Sequence, residues 1–456
     1  MKRKIYSHLQ KWKNQWQGRT ALLIDGARRI GKSWIAEEFG KNEYKSYIII
    51  DFNNVSKDIL ELFENYLTDL DSFFTRLSLY TGVKLHERKS LIIFDEVQIY
   101  PKARAAIKYL VNDGRYDYIE TGSLVSINHN VRDIVIPSEE VRVNMYPMDF
   151  EEFLWALDSD NLFTFAKEQI NNKKAVGQPI HRKLMDLMRT YMVVGGMPQA
   201  VLSYIQTKDF TQVEAVKKNI LTLYRNDISK YAGKSAPNVT RIFDNIPGLL
   251  SQHEKRFRPS KVTSNGRLRT FSEPLFWLDE SRVVNLCYST TEPSVGLALN
   301  RDDSKLKIYM ADTGLLVTLA IYTGEFTLNT LYEKIITGKL EFNKGMIVEN
   351  LVAQLLRSNG IPLFFYSSTS RENSRDRMEI DFLVRKTHIT TRHNIIPIEV
   401  KSSNRYSLSS LEKFTTKFKN YLAYPLVLHT GDYLQKDGIE YLPLYMTGNI
   451  PAINDL

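Results

Sequence analysis

Residues 26–33 read Gly-Ala-Arg-Arg-Ile-Gly-Lys-Ser, a complete G-x-x-x-x-G-K-[ST] loop. No other feature of the sequence narrows the fold as far. The loop follows the apolar run 20–25 and opens the helix-like stretch 32–39, so it demands strand, loop and helix in succession. Gly26 and Gly31 let the backbone curl until consecutive N–H groups face inward at the positive end of a helix, a cradle for phosphate oxygens. In such a loop Lys32 brings a cation to the phosphates and the Ser33 hydroxyl is a ligand for Mg²⁺. Gly26, Arg28, Arg29, Gly31, Lys32 and Ser33 are therefore the predicted nucleotide-contacting residues.

A second signal agrees with the first. Leu91-Ile92-Ile93-Phe94 runs into Asp95-Glu96, which puts two carboxylates at the C-terminal edge of a buried strand, where α/β sheets bind ligands. Asp95 is expected to hold Mg²⁺ and Glu96 to polarise the attacking water. The next strand ends in Glu120-Thr121-Gly122-Ser123, so Thr121 and Ser123 are placed beside the same edge, where a hydroxyl can meet the γ-phosphate. A turn after a strand is the plain alternative for either residue.

The first 150 residues alternate short apolar runs (20–25, 47–52, 90–95, 116–121 and 141–145) with helical stretches at 32–39 and 103–112. Each run is apolar throughout rather than alternating, the pattern of strands covered on both faces of a parallel sheet, and the fold class is α/β, doubly wound. Residues 151–290 turn mainly helical, with spacing near 3.6 at 150–157, 181–193 and 213–231, and with Gly195-Gly196 and Pro198 as punctuation. Two short helices at 238–250 and 273–279 flank a basic stretch and precede a strand at 283–288, an order that suits a winged-helix module. Residues 291–456 form a third unit: a helix at 345–358, strands at 362–366, 378–385 and 395–400, a helix at 408–419 and a strand at 424–429. Leu408, Leu411, Phe414, Phe418 and Tyr421 share one face of that last helix.

Taken together, these motifs resemble those of AAA-family ATP-binding proteins of bacteria and archaea that carry a C-terminal domain of unknown function. The resemblance rests on the phosphate loop, Phe94-Asp95-Glu96-Val97-Gln98, Thr121-Gly122-Ser123 and the stretch from Met145 to Phe153. It continues through Gly195-Gly196-Met197-Pro198, the stretch from Asp227 to Tyr231, the stretch from Lys307 to Leu315, and Ile398-Glu399-Val400-Lys401. It implies an ATPase core, a helical and winged-helix middle, and a restriction-endonuclease-like end. Many members have a Gly-Arg pair where this chain reads Ser138-Glu139-Glu140, so no arginine finger carries over by position.

The C-terminal unit has chemistry of its own. Glu379-Ile380-Asp381 lies in one strand and Glu399-Val400-Lys401 in another, and alternate residues of a strand share a face, so Glu399 and Lys401 point together. Two carboxylates that hold Mg²⁺ beside a lysine form the site of PD-(D/E)xK nucleases, in which the metal activates water and the lysine orients it. Asp381, Glu399 and Lys401 are the candidate catalytic residues there, with Glu349 of the preceding helix as a third metal ligand. The alternatives are a hairpin bearing ordinary charges, or a nuclease fold that has lost its activity.

Composition sets the outer limits. A chain of 456 residues accommodates roughly two to four domains. One cysteine, Cys287, excludes an internal disulfide framework and a cysteine-rich zinc site. No apolar run approaches the ~18 residues of a membrane-spanning helix, and the basic start Met1-Lys2-Arg3-Lys4 has no apolar stretch after it, so a cytoplasmic protein is expected. The eight histidines form no zinc-binding pair with a partner acid, and no G-x-S-x-G marks a serine hydrolase. The net charge of +9 favours a polyanion such as DNA, and basic residues free of acids cluster at 1–20 and 255–271. Charge runs of this kind are equally the mark of a solvated face.

Three readings follow. The first is an Mg²⁺-dependent ATPase coupled to a nuclease-like domain that acts on DNA. The second is a nucleotide-dependent switch or scaffold whose C-terminal fold is an inactive platform for a protein or nucleic-acid partner. The third, a kinase, fits less well: Asp95-Glu96 suits attack by water, and no acceptor-binding segment is visible. AAA-family proteins often form rings, and without a finger arginine both a homo-oligomer and a monomer stay open.

Overall fold

A computed structural model describes residues 1–122, 138–252, 254–263, 266–321, 329–337, 343–368, 377–403 and 405–450. The chain divides into two compact units, one of residues 1–146 with 280–282, the other of residues 147–279 and 283–456.

In the N-terminal unit, strands β1 (Ala21–Asp25), β2 (Ser46–Asp51), β3 (Ser90–Asp95), β4 (Asp117–Gly122) and β5 (Glu140–Asn144) form one sheet in the order β2-β3-β4-β1-β5. All its pairs are parallel. Parallel neighbours need long crossovers, and the helices Lys32–Glu43 and Pro101–Asp113 stand in that role between β1 and β2 and between β3 and β4. Strands β1, β3 and β4 are buried at every residue. The two edge strands are not, so the expected covering of both faces fails there: Ile49 of β2 and Arg142 of β5 are exposed.

Two helices that carry no long apolar run, Lys57–Asn65 and Leu70–Thr81, fill the segment between β2 and β3. Ser56 and Asp69 cap them, accepting from the backbone N–H of Ile59 and Ser72. Their Phe63 and Phe73 meet edge-to-face, and Phe63 packs edge-to-face on Phe94 of β3 with the centroids 5.6 Å apart. The N-terminal helix, Ile5–Trp16, is tied down by part of the first basic run. The Arg3 guanidinium is buried and donates to Ile30 O (2.8 Å) and Tyr146 O (2.6 Å), and Lys13 Nζ donates to Glu43 O.

The second unit begins with helices, among them Phe150–Ala156, Gln178–Val194, Phe210–Tyr231 and Ala236–Leu250. The first has a capping box formed by Asp149 and Glu152. Among the described residues the sheet of this unit has eight strands: β6 (Val284–Thr290), β7 (Arg301–Met310), β8 (Phe364–Ser368), β9 (Met378–Arg385), β10 (Ile395–Val400), β11 (Leu426–His429), β12 (Leu434–Lys436) and β13 (Ile439–Pro443). They lie in the order β12-β13-β11-β10-β9-β8-β6-β7. β9 runs antiparallel to both β8 and β10, and β11 then returns parallel to β10 after the helix Ser409–Lys417. The helix Lys344–Ser358 precedes β8.

Two expectations change here. The division at residue 290 cuts through this sheet, because β6 pairs with both β7 and β8. The strand after the basic stretch is thus part of a continuous sheet. Tyr421, expected on the buried face beyond that helix, is 37% exposed, and its hydroxyl donates to Glu292. Leu411 and Phe414 alone of the five are fully buried in that core, with Leu408 and Phe418 packed against it.

The Gly195-Gly196 pair and Asp312 explain each other. Asp312 is buried; Oδ2 accepts from Gly196 N (2.6 Å) and Oδ1 from Leu315 N (2.9 Å). A Cβ on Gly195, whose φ is +81°, would lie 2.3 Å from Asp312 Oδ1, and one on Gly196 would lie 2.0 Å from Met148 O. Gln354 completes the cluster, taking the Thr313 N–H at 2.7 Å and donating to Tyr191 Oη at 2.9 Å. These motifs hold the unit together through fully partnered polar groups.

Candidate functional site

The phosphate loop spans the gap between β1 and the helix Lys32–Glu43. Gly31 takes φ +93°, which a side chain would strain, and a Cβ on Gly26 would meet Met145 O at 2.4 Å. Arg28 and Arg29 stand at the crown of the loop with exposed side chains, Arg29 itself at φ +69°. Lys32 is buried, and its Nζ donates to Gly26 O and Ala27 O, each at 3.0 Å. Burial pushes this ammonium below the usual lysine range, while Glu96, Asp25 and Asp95 pull the other way.

Ser33 Oγ donates to Asp95 Oδ1 at 2.6 Å. The Thr121 hydroxyl donates to the same Asp95 oxygen and accepts the Glu96 backbone N–H at 3.1 Å. The loop, β3 and β4 thus meet at one carboxylate. Glu96 has φ +55°, and its carboxylate accepts from the Gln98 amide. Glu120 alternates to the opposite face from Thr121; it is fully buried near Glu140, which accepts from Arg104 at 2.8 Å, and burial followed by the Glu140 charge raises its carboxyl far above the usual range. Ser123 lies outside the described residues. Ser33 and Asp95 offer hard oxygen donors side by side, a set that fits Mg²⁺.

In the second unit, β9 and β10 pair antiparallel with Ile398 opposite Phe382, and the same register carried one residue further sets Glu399 opposite Asp381. Asp381 Oδ2 accepts the Val400 N–H at 2.8 Å, and Lys401 Nζ donates to Glu399 Oε1 at 2.6 Å. The other Glu399 oxygen, Oε2, is buried with no hydrogen-bond partner. Burial, then the charges of Glu399 and Glu349, push the Asp381 carboxyl up to about 8; burial also raises Glu399. Lys401 thus supplies the close cation of this carboxylate pair, and it reaches one oxygen of Glu399.

Glu349 meets two lysines. Its Oε1 accepts from Tyr309 Oη (2.6 Å) and pairs with Lys307 Nζ (3.2 Å), and its Oε2 pairs with Lys255 Nζ. Burial opposes ionisation, but Lys307, Lys255 and Tyr309 outweigh it and hold this carboxyl down at about 2. Accordingly, among the described residues no group of three or more His, Cys, Asp or Glu is arranged to hold a metal ion. The expectation of Glu349, Asp381 and Glu399 as joint ligands is corrected to a pair of carboxylates beside a third that two lysines already occupy. The Asp381–Glu399 pair, with its orphaned oxygen, fits a divalent cation.

Gln98, Lys255, Lys307 and Tyr309 were not among the predicted site residues. Three of them lie in stretches that the sequence does single out, Gln98 beside Asp95-Glu96 and Lys307 and Tyr309 in the segment from Lys307 to Leu315. Lys255 opens the second basic run, where the sequence suggests only a solvated or polyanion-binding role.

Residues 18–154 match an AAA domain, residues 185–325 a domain of unknown function (DUF8612), and residues 344–446 a second domain of unknown function (DUF4143). A comparison with curated protein sequences finds no match. Among solved structures, domain III of the Thermotoga maritima replication initiation protein DnaA is 13% identical over 47% of this chain and 90% of its own, with a TM-score of 0.23. The Aeropyrum pernix ORC1 protein, solved in complex with DNA, is 9% identical over 74% and 93%, at 0.26. Cdc6p from Pyrobaculum aerophilum is 12% identical over 74% and 94%, at 0.24. TM-scores at this level do not establish a shared whole-chain fold. The AAA-domain match takes in the phosphate loop, Asp95 and Thr121, and so the whole of the site built around β1, β3 and β4. Among the described residues no helix is long and apolar enough to cross a membrane.

Proposed function

We propose that this chain hydrolyses ATP with Mg²⁺ and couples that reaction to a nuclease-like C-terminal domain that acts on DNA. The observation that carries the first half is the junction at Asp95, where the Ser33 and Thr121 hydroxyls meet one carboxylate at the foot of the phosphate loop. Mg²⁺, when bound, would supply charge neutralisation at the phosphates. Ser33 and Asp95 would hold it. Lys32 would exchange its two carbonyl contacts for phosphate oxygens, and the loop N–H groups from Gly26 to Ser33 would complete the cradle. Glu96 would orient the attacking water, with Gln98 fixing its carboxylate. The test is release of inorganic phosphate from ATP without any added acceptor, in wild type and in Lys32→Ala and Glu96→Gln. Release that needs an acceptor substrate would favour a kinase instead.

The nuclease-like reading is supported by the order of elements: a helix, three antiparallel strands, a crossover helix and a parallel strand, with Asp381 and Glu399 on adjacent strands and Lys401 just past the end of the second. Two carboxylates there would hold a divalent cation, which supplies an activated water; Lys401 would orient it. Salt-dependent DNA binding, scored together with cleavage, tests this half. One observation favours the scaffold alternative: Glu349 is engaged by two lysines rather than open to a cation. Tight DNA binding with no cleavage in Mg²⁺ or Mn²⁺ would select that alternative.

A further inference from the structure

We propose that Lys255 is a built-in counter-ion of the C-terminal acid cluster, which a divalent cation must displace before Glu349 can join Asp381 and Glu399 as a ligand. This inference rests on the reading of that cluster as a cation site and adds its regulation. Glu349 meets two ammonium groups that differ in one respect. Lys307 has 0% of its side chain exposed and is shared between Glu349 and Glu379 (2.8 Å), so it is fixed in the core. Lys255 is 19% exposed, belongs to a short irregular segment, and pairs with Glu349. Of the two, only Lys255 can swing into water without unpairing a second acid.

The segment that carries it is anchored just beyond. Phe257 is buried, its N–H donates to Leu306 O (2.7 Å), and its ring packs edge-on against Phe271 at 5.7 Å. Lys255 therefore sits two residues from a fixed point, at the head of a run whose Arg258, Lys261, Arg267 and Arg269 are exposed. Meanwhile Glu399 Oε2 is buried without a partner, so the cluster has an acceptor that Lys255 does not satisfy. Lys307 and Lys255 both meet Glu349, whereas Lys401 meets one oxygen of Glu399 and leaves the other, Oε2, without a hydrogen-bond partner. A divalent ion drawn to Asp381 and Glu399 would have Glu349 as a further ligand once Lys255 leaves.

The experiment measures Mn²⁺ binding to the full chain without nucleotide, by the electron paramagnetic resonance signal of free Mn²⁺. Sites abolished in Asp381→Asn/Glu399→Gln define the C-terminal component. In that component Lys255→Met should bind Mn²⁺ at least about tenfold more tightly than wild type, whereas Lys255→Arg, which keeps the charge, should not. Lys255→Gln provides a second neutral variant should the methionine form fold poorly, and circular dichroism checks each. Equal affinity in wild type and both neutral variants would overturn the displacement while leaving the cation site intact. Absence of any Mn²⁺ component sensitive to Asp381 and Glu399 would overturn the cation site itself, and the displacement with it.

Discussion

Ser33 Oγ lies 2.6 Å from Asp95 Oδ1, although 62 residues separate them in sequence. The bond joins the first turn of the loop helix to the last residue of β3. It brings together the two side chains from which an Mg²⁺ site would be built. The geometry of this junction, rather than the loop motif alone, sets what each nearby substitution should do.

Lys32→Ala removes the buried cation that the loop itself carries and should weaken ATP binding by at least about tenfold, the scale of a charge-assisted contact. Glu96→Gln keeps the shape of the side chain and the Gln98 contact, so it should bind ATP normally yet lose roughly 100-fold or more in turnover. Gln98→Ala should lower turnover by a smaller factor without affecting binding. Fluorescent-nucleotide titration and phosphate release separate the two effects. Normal turnover in Glu96→Gln would remove that residue from the mechanism.

What the sequence made legible, and what it hid, divides along one line. β9 and β10 read off residue for residue, because β9 alternates apolar and charged residues over its first half and β10 is apolar up to Glu399. The phosphate loop and the strand ending in Asp95 are likewise local patterns. The helices Lys57–Asn65 and Leu70–Thr81 were missed, although Ser56 and Asp69 are ordinary capping residues and Leu70, Phe73, Phe74 and Leu77 recur at helical spacing, because both are short and neither carries a long apolar run. Pairings across long separations left no trace: Lys255 with Glu349, 94 residues apart, or Gly196 with Asp312, 116 apart. Glycines 195 and 196 looked like punctuation. Their reason is an aspartate in another element.

That aspartate gives a stability prediction. Asp312→Ala would leave the Gly196 and Leu315 N–H groups buried without acceptors, and Gly195→Ala would drive a methyl into the Asp312 carboxylate. Each should cost about 2–4 kcal/mol, the range for breaking a buried polar cluster or forcing a side chain onto a positive-φ glycine. Urea denaturation followed by tryptophan fluorescence measures it. A loss below about 0.5 kcal/mol in both variants would mean that the cluster relaxes freely.

The titration of Asp381 predicts a pH dependence with a definite sign. Its carboxyl is pushed up to about 8 in the folded chain, against roughly 4 when unfolded. Between those values the folded state holds a proton that the unfolded state has released, so stability falls as pH rises through the window and levels off above it. Asp381→Asn should flatten this slope and stabilise the protein at pH 8 by on the order of 1–3 kcal/mol. Glu349 acts at the other end: held at about 2, it contributes stability above the ordinary carboxylate range and loses it as pH falls toward 2. Denaturation midpoints at pH 5 and 8 for both proteins check the first claim, and parallel slopes would contradict it.

The second basic run makes a prediction about DNA that the structure refines. Arg256 keeps only 13% of its side chain exposed and lies 3.7 Å from Glu254, so it is a poor choice for reversal. Lys261, Arg267 and Arg269 are exposed, the last on the helix Leu268–Glu280. Reversing all three to Glu should weaken DNA binding and reduce the slope of log affinity against log salt by roughly 0.9 for each phosphate no longer neutralised. An unchanged slope across a salt titration would leave this run a solvated surface.

Cleavage is the last and most exposed prediction. If Asp381 and Glu399 hold a divalent cation, plasmid nicking should appear with Mn²⁺ or Mg²⁺ and fall by roughly 100-fold or more in Asp381→Ala, Glu399→Ala and Lys401→Ala. The three variants should not fail alike. Removing either carboxylate takes away a ligand, so added metal should partly restore activity. Lys401 donates to Glu399 at 2.6 Å and would orient water rather than bind metal, so its loss should resist metal rescue. Lys32→Ala serves as the comparison, because it alters the nucleotide site and leaves the acid cluster untouched. Nicking that persists equally in all three C-terminal variants would trace to a contaminant. Its absence from wild type across both metals, with DNA still bound, would make this sheet a binding platform.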